Sequence, residues 1–312
     1  MIRLAMTVIP MTDENLRRAC QVGVEELAVR SPDHYGTDLP TLCGRAESAG
    51  LKVGVVEGFM PLEPITFGGD GRDEAIETIA ALIRQMGEYD VPIMCYNFMA
   101  GSDWSRTSVT ESDRGGALVS AFEPSQLPVE EINTATIVGQ DQLWENLQYF
   151  LDRIIPVAEK AGVTLAMHPD DPPLPEVQGQ ARIMIDPDSF DRLLSMSDSP
   201  SNGICFCQGV FSTMGVDIPT TIRRFAERIR FVHFRDVRHT ETGFVETFHD
   251  NGPTDMVAAM QTYHDIGFDG PMRPDHAPQL AGEQDGEPGY TMLGRLYAIG
   301  YMRGLMQAVG AA

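Results

Sequence analysis

The chain has 312 residues, 43% of them hydrophobic and 22% charged, with 30 glycines and 21 prolines spread along it, the balance of a folded globular protein and not of a disordered or fibrous one. Its 45 acidic residues against 23 lysines and arginines leave a formal charge of −22, which excludes a nucleic-acid partner, because phosphate binding needs clustered cations. Five cysteines without a small-domain disulfide pattern, no leader-like segment and no apolar run of about 18 residues imply a reducing, cytoplasmic setting with no membrane partner.

From the N-terminus onward, short apolar runs recur at Ile2–Ile9, Glu26–Arg30, Leu51–Val56, Val91–Phe98, Val163–His168, Gly203–Cys207, Arg230–Arg235 and Pro271–Pro274. Each is brief and mostly β-branched or aromatic, as strands are. Between them lie stretches with helical spacing. Thr12–Val22 opens on a threonine whose hydroxyl can take an orphan amide hydrogen, and Leu39–Ala49 and Arg72–Glu88 follow the next two strands. After the fourth strand, Leu143, Leu147, Leu151, Ile154 and Ala158 form a single apolar stripe. Ile218–Arg228 and Thr254–Ile266 repeat the pattern, and a last helix over Met292–Gln307 carries Leu293, Leu296, Ile299 and Met302. Met302, Leu305 and Met306 offer either a surface for a homo-oligomer or packing onto the strands beneath.

Eight strands in alternation with helices predict an α/β fold, a parallel sheet closed into a (β/α)8 TIM barrel, because right-handed β-α-β connections leave few alternatives. The expected organisation is one domain over 1–312, with long loops after strands 4 and 8, Met99–Gln140 and Ala277–Gly289. Loops of that length in a compact domain usually bind or cover a ligand, so 99–140 reads as a lid-like insertion.

The barrel assignment brings four residues together. His168 ends the fifth strand, Cys207 the sixth, His233 lies near the end of the seventh, and Asp275 follows the eighth. Singly, each has an ordinary explanation: a small core thiol, a satisfied histidine, a turn carboxylate. Jointly, at the rim where barrel enzymes keep their chemistry, they form a metal-ligand set of one thiolate, two imidazoles and one carboxylate. Such a set suits Zn²⁺, Fe²⁺ or Mn²⁺ without choosing among them. In Cys205-Phe206-Cys207 strand alternation sends both sulfurs to the same side, which makes Cys205 a deeper packing residue.

Several motifs resemble the mannonate dehydratase family, whose members have xylose-isomerase-like barrels and depend on manganese or iron. They are Cys95-Tyr96-Asn97-Phe98-Met99, Asp103-Trp104-Ser105-Arg106-Thr107, His168-Pro169-Asp170-Asp171-Pro172-Pro173, Phe206-Cys207-Gln208-Gly209, Phe231-Val232-His233-Phe234-Arg235, Arg273-Pro274-Asp275-His276 and Pro288-Gly289-Tyr290. The resemblance implies D-mannonate as substrate, 2-keto-3-deoxy-D-gluconate and water as products, Mn²⁺ as the first choice of divalent metal, and no organic cofactor. It also implies that His168, Cys207, His233 and Asp275 are the ligands, that His276 and Tyr290 transfer protons, and that Asn97 and Arg235 lie at the substrate.

Chemistry supplies the reasons. The α-proton of a carboxylate is only weakly acidic, so a metal must stabilise the developing charge while a nearby group takes the proton and a second acid serves the departing hydroxyl. Arg106, Arg182 and Arg235 are candidates to grip a carboxylate bidentately or, equally, ordinary ion-pair partners. Asp170 and Asp171 are placed to orient a ligand histidine, to bind a sugar hydroxyl, or to cap the turn. The chain departs from the family where Met6-Thr7-Val8-Ile9-Pro10 replaces a tryptophan-containing first strand, Gln208-Gly209-Val210 a Thr-Gly-Ser, and Ala277 a glycine. These changes lie where the far end of a six-carbon acid would be read. Two further readings stand beside the dehydratase: a metal-dependent sugar isomerase or epimerase of the same superfamily, and a non-catalytic carbohydrate-binding relative.

Overall fold

All eight predicted strands form, and they close on themselves. In the computed structural model, which describes residues 1–101, 104–127, 137–283 and 285–311, the barrel strands are β1 (Arg3–Met6), β2 (Glu26–Val29), β3 (Lys52–Glu57), β4 (Ile93–Tyr96), β5 (Thr164–Met167), β6 (Asn202–Cys207), β7 (Ile229–His233) and β8 (Pro271–Arg273). Sequence neighbours are neighbours in the ring, and β8 returns to pair with β1 in parallel. Right-handed crossovers produce this order when each strand is followed by its own helix.

Inside the ring, Ala28, Val55, Ile93, Cys95, Ala166, Cys205 and Phe231 make one buried layer, so Cys205 packs where strand alternation placed it. Outside, the helices cover the strands with their apolar stripes. Leu143, Leu147, Leu151, Ile154 and Ala158 of the helix Gln140–Ala161 are all fully buried. The helix Asp13–Gln21 starts as predicted, with the Asn15 amide donating to Thr12 Oγ1 at 3.2 Å. Three α-helices of the described residues are absent from the sequence reading. Two are short, Glu63–Thr66 and Gln208–Thr213, and the third is Pro187–Ser195, whose Asp186 cap accepts from the Ser189 amide at 2.8 Å. An Asp-Pro pair before an apolar segment is a helix-start signal that could have found the third.

The last helix, Met292–Ala308, packs onto the barrel and buries Met302, Leu305 and Met306 in the core. The self-association surface read from those three side chains is therefore not available, because they are spent within the chain. Among the described residues no helix is long and apolar enough to cross a membrane.

Loops at the C-terminal ends of the strands are stitched together. Residues 102–103 and 128–136 of the expected lid-like insertion lie outside the described residues, but Ser108–Ser112 and Leu118–Phe122 within it join Val237–His239 and Phe244–Glu246 in an antiparallel four-stranded sheet. The latter two strands belong to a long loop after β7 that the sequence reading had not marked. Leu118 also exchanges backbone hydrogen bonds of 3.0 and 2.8 Å with Gln279, in the loop after β8.

Candidate active site

Strand register decides which side chains meet at the mouth. Cys207 is level with His233 in the β6–β7 ladder, and His233 with Arg273 in the β7–β8 ladder. His168 follows β5 directly, its amide donating to the Tyr96 carbonyl at 2.7 Å. One ligand atom from each of His168, Cys207, His233 and Asp275 falls within 4.8 Å of all the others. The His168 and His233 ring centres are 4.9 Å apart, and Cys207 Sγ lies 3.6 Å from Asp275 Oδ2.

Neighbouring groups fix which edge each imidazole presents. His168 Nδ1 is 2.6 Å from the Pro169 carbonyl, which can only accept, so Nδ1 carries the hydrogen and Nε2 is the ligating edge. Asp170, expected as a possible orienter, does something else. Its Oδ2 accepts from the Ile183 and Met184 amides at 2.9 and 3.0 Å, tying down the segment after β5. His233 Nε2 faces Glu57 Oε1 at 2.7 Å, which leaves Nδ1, 3.6 Å from Asp275 Oδ2, turned to the ligand group.

The electrostatics suit a cation. Burial would raise the Asp275 carboxyl, but His276, His233, Arg273 and Arg235 together outweigh it and hold the group well below the usual carboxylate range. Glu57 is likewise held low, by Arg273 and His233 against burial. Burial and Arg273 lower the His233 imidazole, yet Glu57 and Asp275 win and bring it up to about 9. The carboxylates that stabilise a proton on His233 would stabilise a cation in its place. Arg106, Arg235 and Arg273 face Asp171, Glu246, Glu57 and Asp275, three guanidinium groups against four carboxylates, and the remaining negative charge is the one that the His233 proton balances and a cation would balance in its place. The ligand set, its packing and its charge all fit a divalent ion.

Above these groups is a cavity of about 100 Å³, partly open to solvent. His276, Tyr290, Asn97, Asp171, Arg30 and Arg273 line it. His276 is buried, with Nε2 4.0 Å from Asp275 Oδ1 and its ring centre 5.4 Å from that of Tyr290. Burial, opposed by Arg273, pushes the Tyr290 hydroxyl up to about 12. Gly289 has φ +77°, and a Cβ there would approach His276 Cδ2 to 3.2 Å, so glycine lets the two side chains stand together.

The arginines singled out from sequence are placed differently from Asn97. Arg106 is buried and holds Asp171 bidentately at 2.8 and 2.9 Å, with Glu246 at 2.7 Å. Arg235 holds Asp171 at 2.8 Å, Glu246 at 2.6 Å and Asp275 at 2.6 Å. Both guanidinium groups are thus engaged by carboxylates of the chain, the ion-pair alternative, and neither lines the cavity. Arg182 is fully buried beside Asp170 and also stands back from it. The cations on the cavity wall are Arg273 and Arg30, the latter paired with Glu287 and lying over the rings of Phe59 and Tyr290. Neither Arg30 nor Glu57 was singled out from sequence, and Arg273 stood there only within the motif Arg273-Pro274-Asp275-His276, although Glu57 ends β3 as Cys207 ends β6 and the same strand-end rule reaches it.

Comparison with known proteins gives the family of the chain and its fold. The family model for D-mannonate dehydratase (UxuA) matches residues 39–139 and 130–312. Mannonate dehydratase 1 of Halalkalibacterium halodurans is 34% identical over 304 aligned residues, covering 85% of this chain and 82% of that protein. A mannonate dehydratase of Thermotoga maritima is 35% identical, covering 84% of this chain and 83% of its own. The crystal structure of mannonate dehydratase from Streptococcus suis serotype 2 superposes with a TM-score of 0.89 at 30% identity, over 99% of this chain and 95% of that one. A D-tagatose 3-epimerase-like protein superposes at 0.66 and 14% identity, over 99% of this chain and 98% of its own, a likeness of fold alone.

Proposed function

The chain belongs to the D-mannonate dehydratase family, and from that membership we propose that it converts D-mannonate to 2-keto-3-deoxy-D-gluconate and water in the cavity above the four ligand side chains. This makes it a hydro-lyase. The observation that carries the reading is the placement of His276 Nε2 4.0 Å from Asp275 Oδ1, beside Tyr290 and the group formed by His168, Cys207, His233 and Asp275.

His168, Cys207, His233 and Asp275 would hold a divalent cation, Mn²⁺ in the first place and Fe²⁺ or Zn²⁺ as alternatives, since thiolate, imidazole and carboxylate donors suit all three. Such a cation, when bound, supplies positive charge against the negative charge that grows on the substrate carboxylate as its α-proton leaves. His276 takes the C2 proton through Nε2. Tyr290, its hydroxyl held up at about 12, keeps its proton at neutral pH and gives it to the departing C3 hydroxyl. Water leaves, and the enol takes up at C3 the proton that His276 holds while its C2 hydroxyl gives one up to the Tyr290 oxygen, which yields the keto acid and restores both side chains. Asn97 and Arg30 line the cavity and are placed to bind substrate hydroxyls. Arg106, Arg235, Asp170 and Arg182 hold the walls. The free cysteines support a reducing, cytoplasmic location, and cell fractionation that found the protein exported would refute it.

The test is a sugar-acid screen on protein stripped with chelator and reloaded with Mn²⁺, Fe²⁺ or Zn²⁺. D-Mannonate should yield the 2-keto-3-deoxy acid, and His276→Asn should abolish turnover while metal still binds. Interconversion of neutral sugars without a keto acid would move the protein to the isomerase or epimerase reading. Metal binding with no turnover of any substrate would leave the carbohydrate-binding one.

A further inference from the structure

Glu246 is the group that gathers the loops over the cavity. It ends the strand Phe244–Glu246 after β7, and its Oε1 is buried among three donors: Arg106 Nη2 at 2.7 Å, Arg235 Nη1 at 2.6 Å and His276 Nδ1 at 3.0 Å. Both arginines are permanently charged, so the carboxylate between them is ionised and can only accept. The competing donor at this nitrogen, Arg106 Nη2, is farther off at 3.5 Å and already bonded to Asp171 and Glu246, so the closer carboxylate decides and the hydrogen of the His276 contact sits on Nδ1. A neutral imidazole with its hydrogen on Nδ1 has its lone pair on Nε2, the nitrogen 4.0 Å from Asp275 Oδ1.

We propose that Glu246 is a positioning residue that selects the Nδ1–H tautomer of His276 and thereby aims a lone pair at the substrate. This rests on the reading of His276 as the proton acceptor. With the hydrogen on Nε2 instead, the same ring in the same place could not accept the C2 proton. Arg106 and Arg235 serve the acceptor and not the substrate. The rest of the chain accommodates them: Arg106 is also anchored by Asp171, through both Nη1 and Nη2, and a Cβ at Gly209 would come within 2.8 Å of Arg235 Cγ.

Two variants and one spectrum test it. In Glu246→Ala the tautomer loses its selector, so kcat should fall by roughly 10²- to 10⁴-fold, the range that a well-placed acid or base contributes, with the loss in kcat and not in KM. In Glu246→Gln the two arginines still require an oxygen at the Oε1 position, which preserves the acceptor for Nδ1, so this variant should fall less far than Glu246→Ala. Nitrogen-15 spectra of histidine-labelled, metal-free protein, with His276 assigned by its loss in His276→Asn, should show hydrogen on Nδ1 in the wild type and a tautomer mixture in Glu246→Ala. Hydrogen on Nε2 in the wild type, or an unchanged tautomer in Glu246→Ala, would overturn the proposal, as would full activity of folded Glu246→Ala beside an inactive His276→Asn. Retained activity in His276→Asn would instead sink the proton-transfer reading beneath it.

Discussion

Glu57 holds His233 from behind: its Oε1 lies 2.7 Å from Nε2 of the imidazole, while Arg273 Nη2 holds the same oxygen at 2.7 Å. The carboxylate thus turns the other imidazole edge toward Cys207 and Asp275. Carboxylate partners of this kind orient a ligand histidine and raise its basicity, and their loss typically weakens metal binding by about 10- to 100-fold. Glu57→Gln should weaken Mn²⁺ binding within that range, read by titration calorimetry on stripped protein. An unchanged dissociation constant would mean that the backbone alone sets the ring.

Asp171 joins two arginines, Arg106 bidentately and Arg235 at 2.8 Å, and all three side chains are buried. Removing one member of a buried ion pair leaves uncompensated charge and costs about 3–5 kcal/mol. Asp171→Ala should lower the urea midpoint correspondingly, and Arg106→Ala in the same background should recover part of the loss because one of the stranded cations is gone. Strictly additive effects would contradict the pairing.

How much of this was legible beforehand follows from the range of the interactions. Buried parallel strands are short apolar runs, so the eight strands are visible locally, and the ligands His168, Cys207, His233 and Asp275 follow from asking what stands at strand ends. Glu57 was within reach of the same question. Glu246 was not, because its strand pairs with Leu118–Phe122, far away in sequence, and no local pattern announces the sheet. Arg106 and Arg235 show the same limit. Their charge is visible in the sequence, but whether it faces a substrate or Asp171 and Glu246 depends on three loops meeting over the barrel.

The buried carboxylates also predict an acid limit to stability. Burial raises the Glu246 carboxyl, but Arg235, His276 and Arg106 outweigh it and bring it down to about 2 from its ordinary value of 4.5. A group depressed in the folded state stabilises above its unfolded pKa, and that contribution is lost as pH falls through the folded value. Metal-free protein should therefore lose stability between about pH 4.5 and 2, and Glu246→Gln should show a shallower slope there. Parallel pH curves for the two proteins would remove Glu246 from the acid transition.

Gly289 separates the backbone's contribution from that of the side chains. Its φ of +77° is costly for other residues by about 1–2 kcal/mol, and an added methyl would meet His276 Cδ2 at 3.2 Å. The strain and the contact fall on the segment that carries Tyr290, one residue on. Misplacement of a reacting group by about 1 Å can cost on the order of 10²-fold in rate, so Gly289→Ala should lose far more activity than its modest loss of stability explains. Mn²⁺ affinity should stay near the wild-type value, since no proposed ligand is displaced. A variant with reduced thermal stability but wild-type turnover would show that the spacing of His276 and Tyr290 does not depend on this backbone. Weakened metal binding would show instead that the loop reaches through Asp275 into the ligand group.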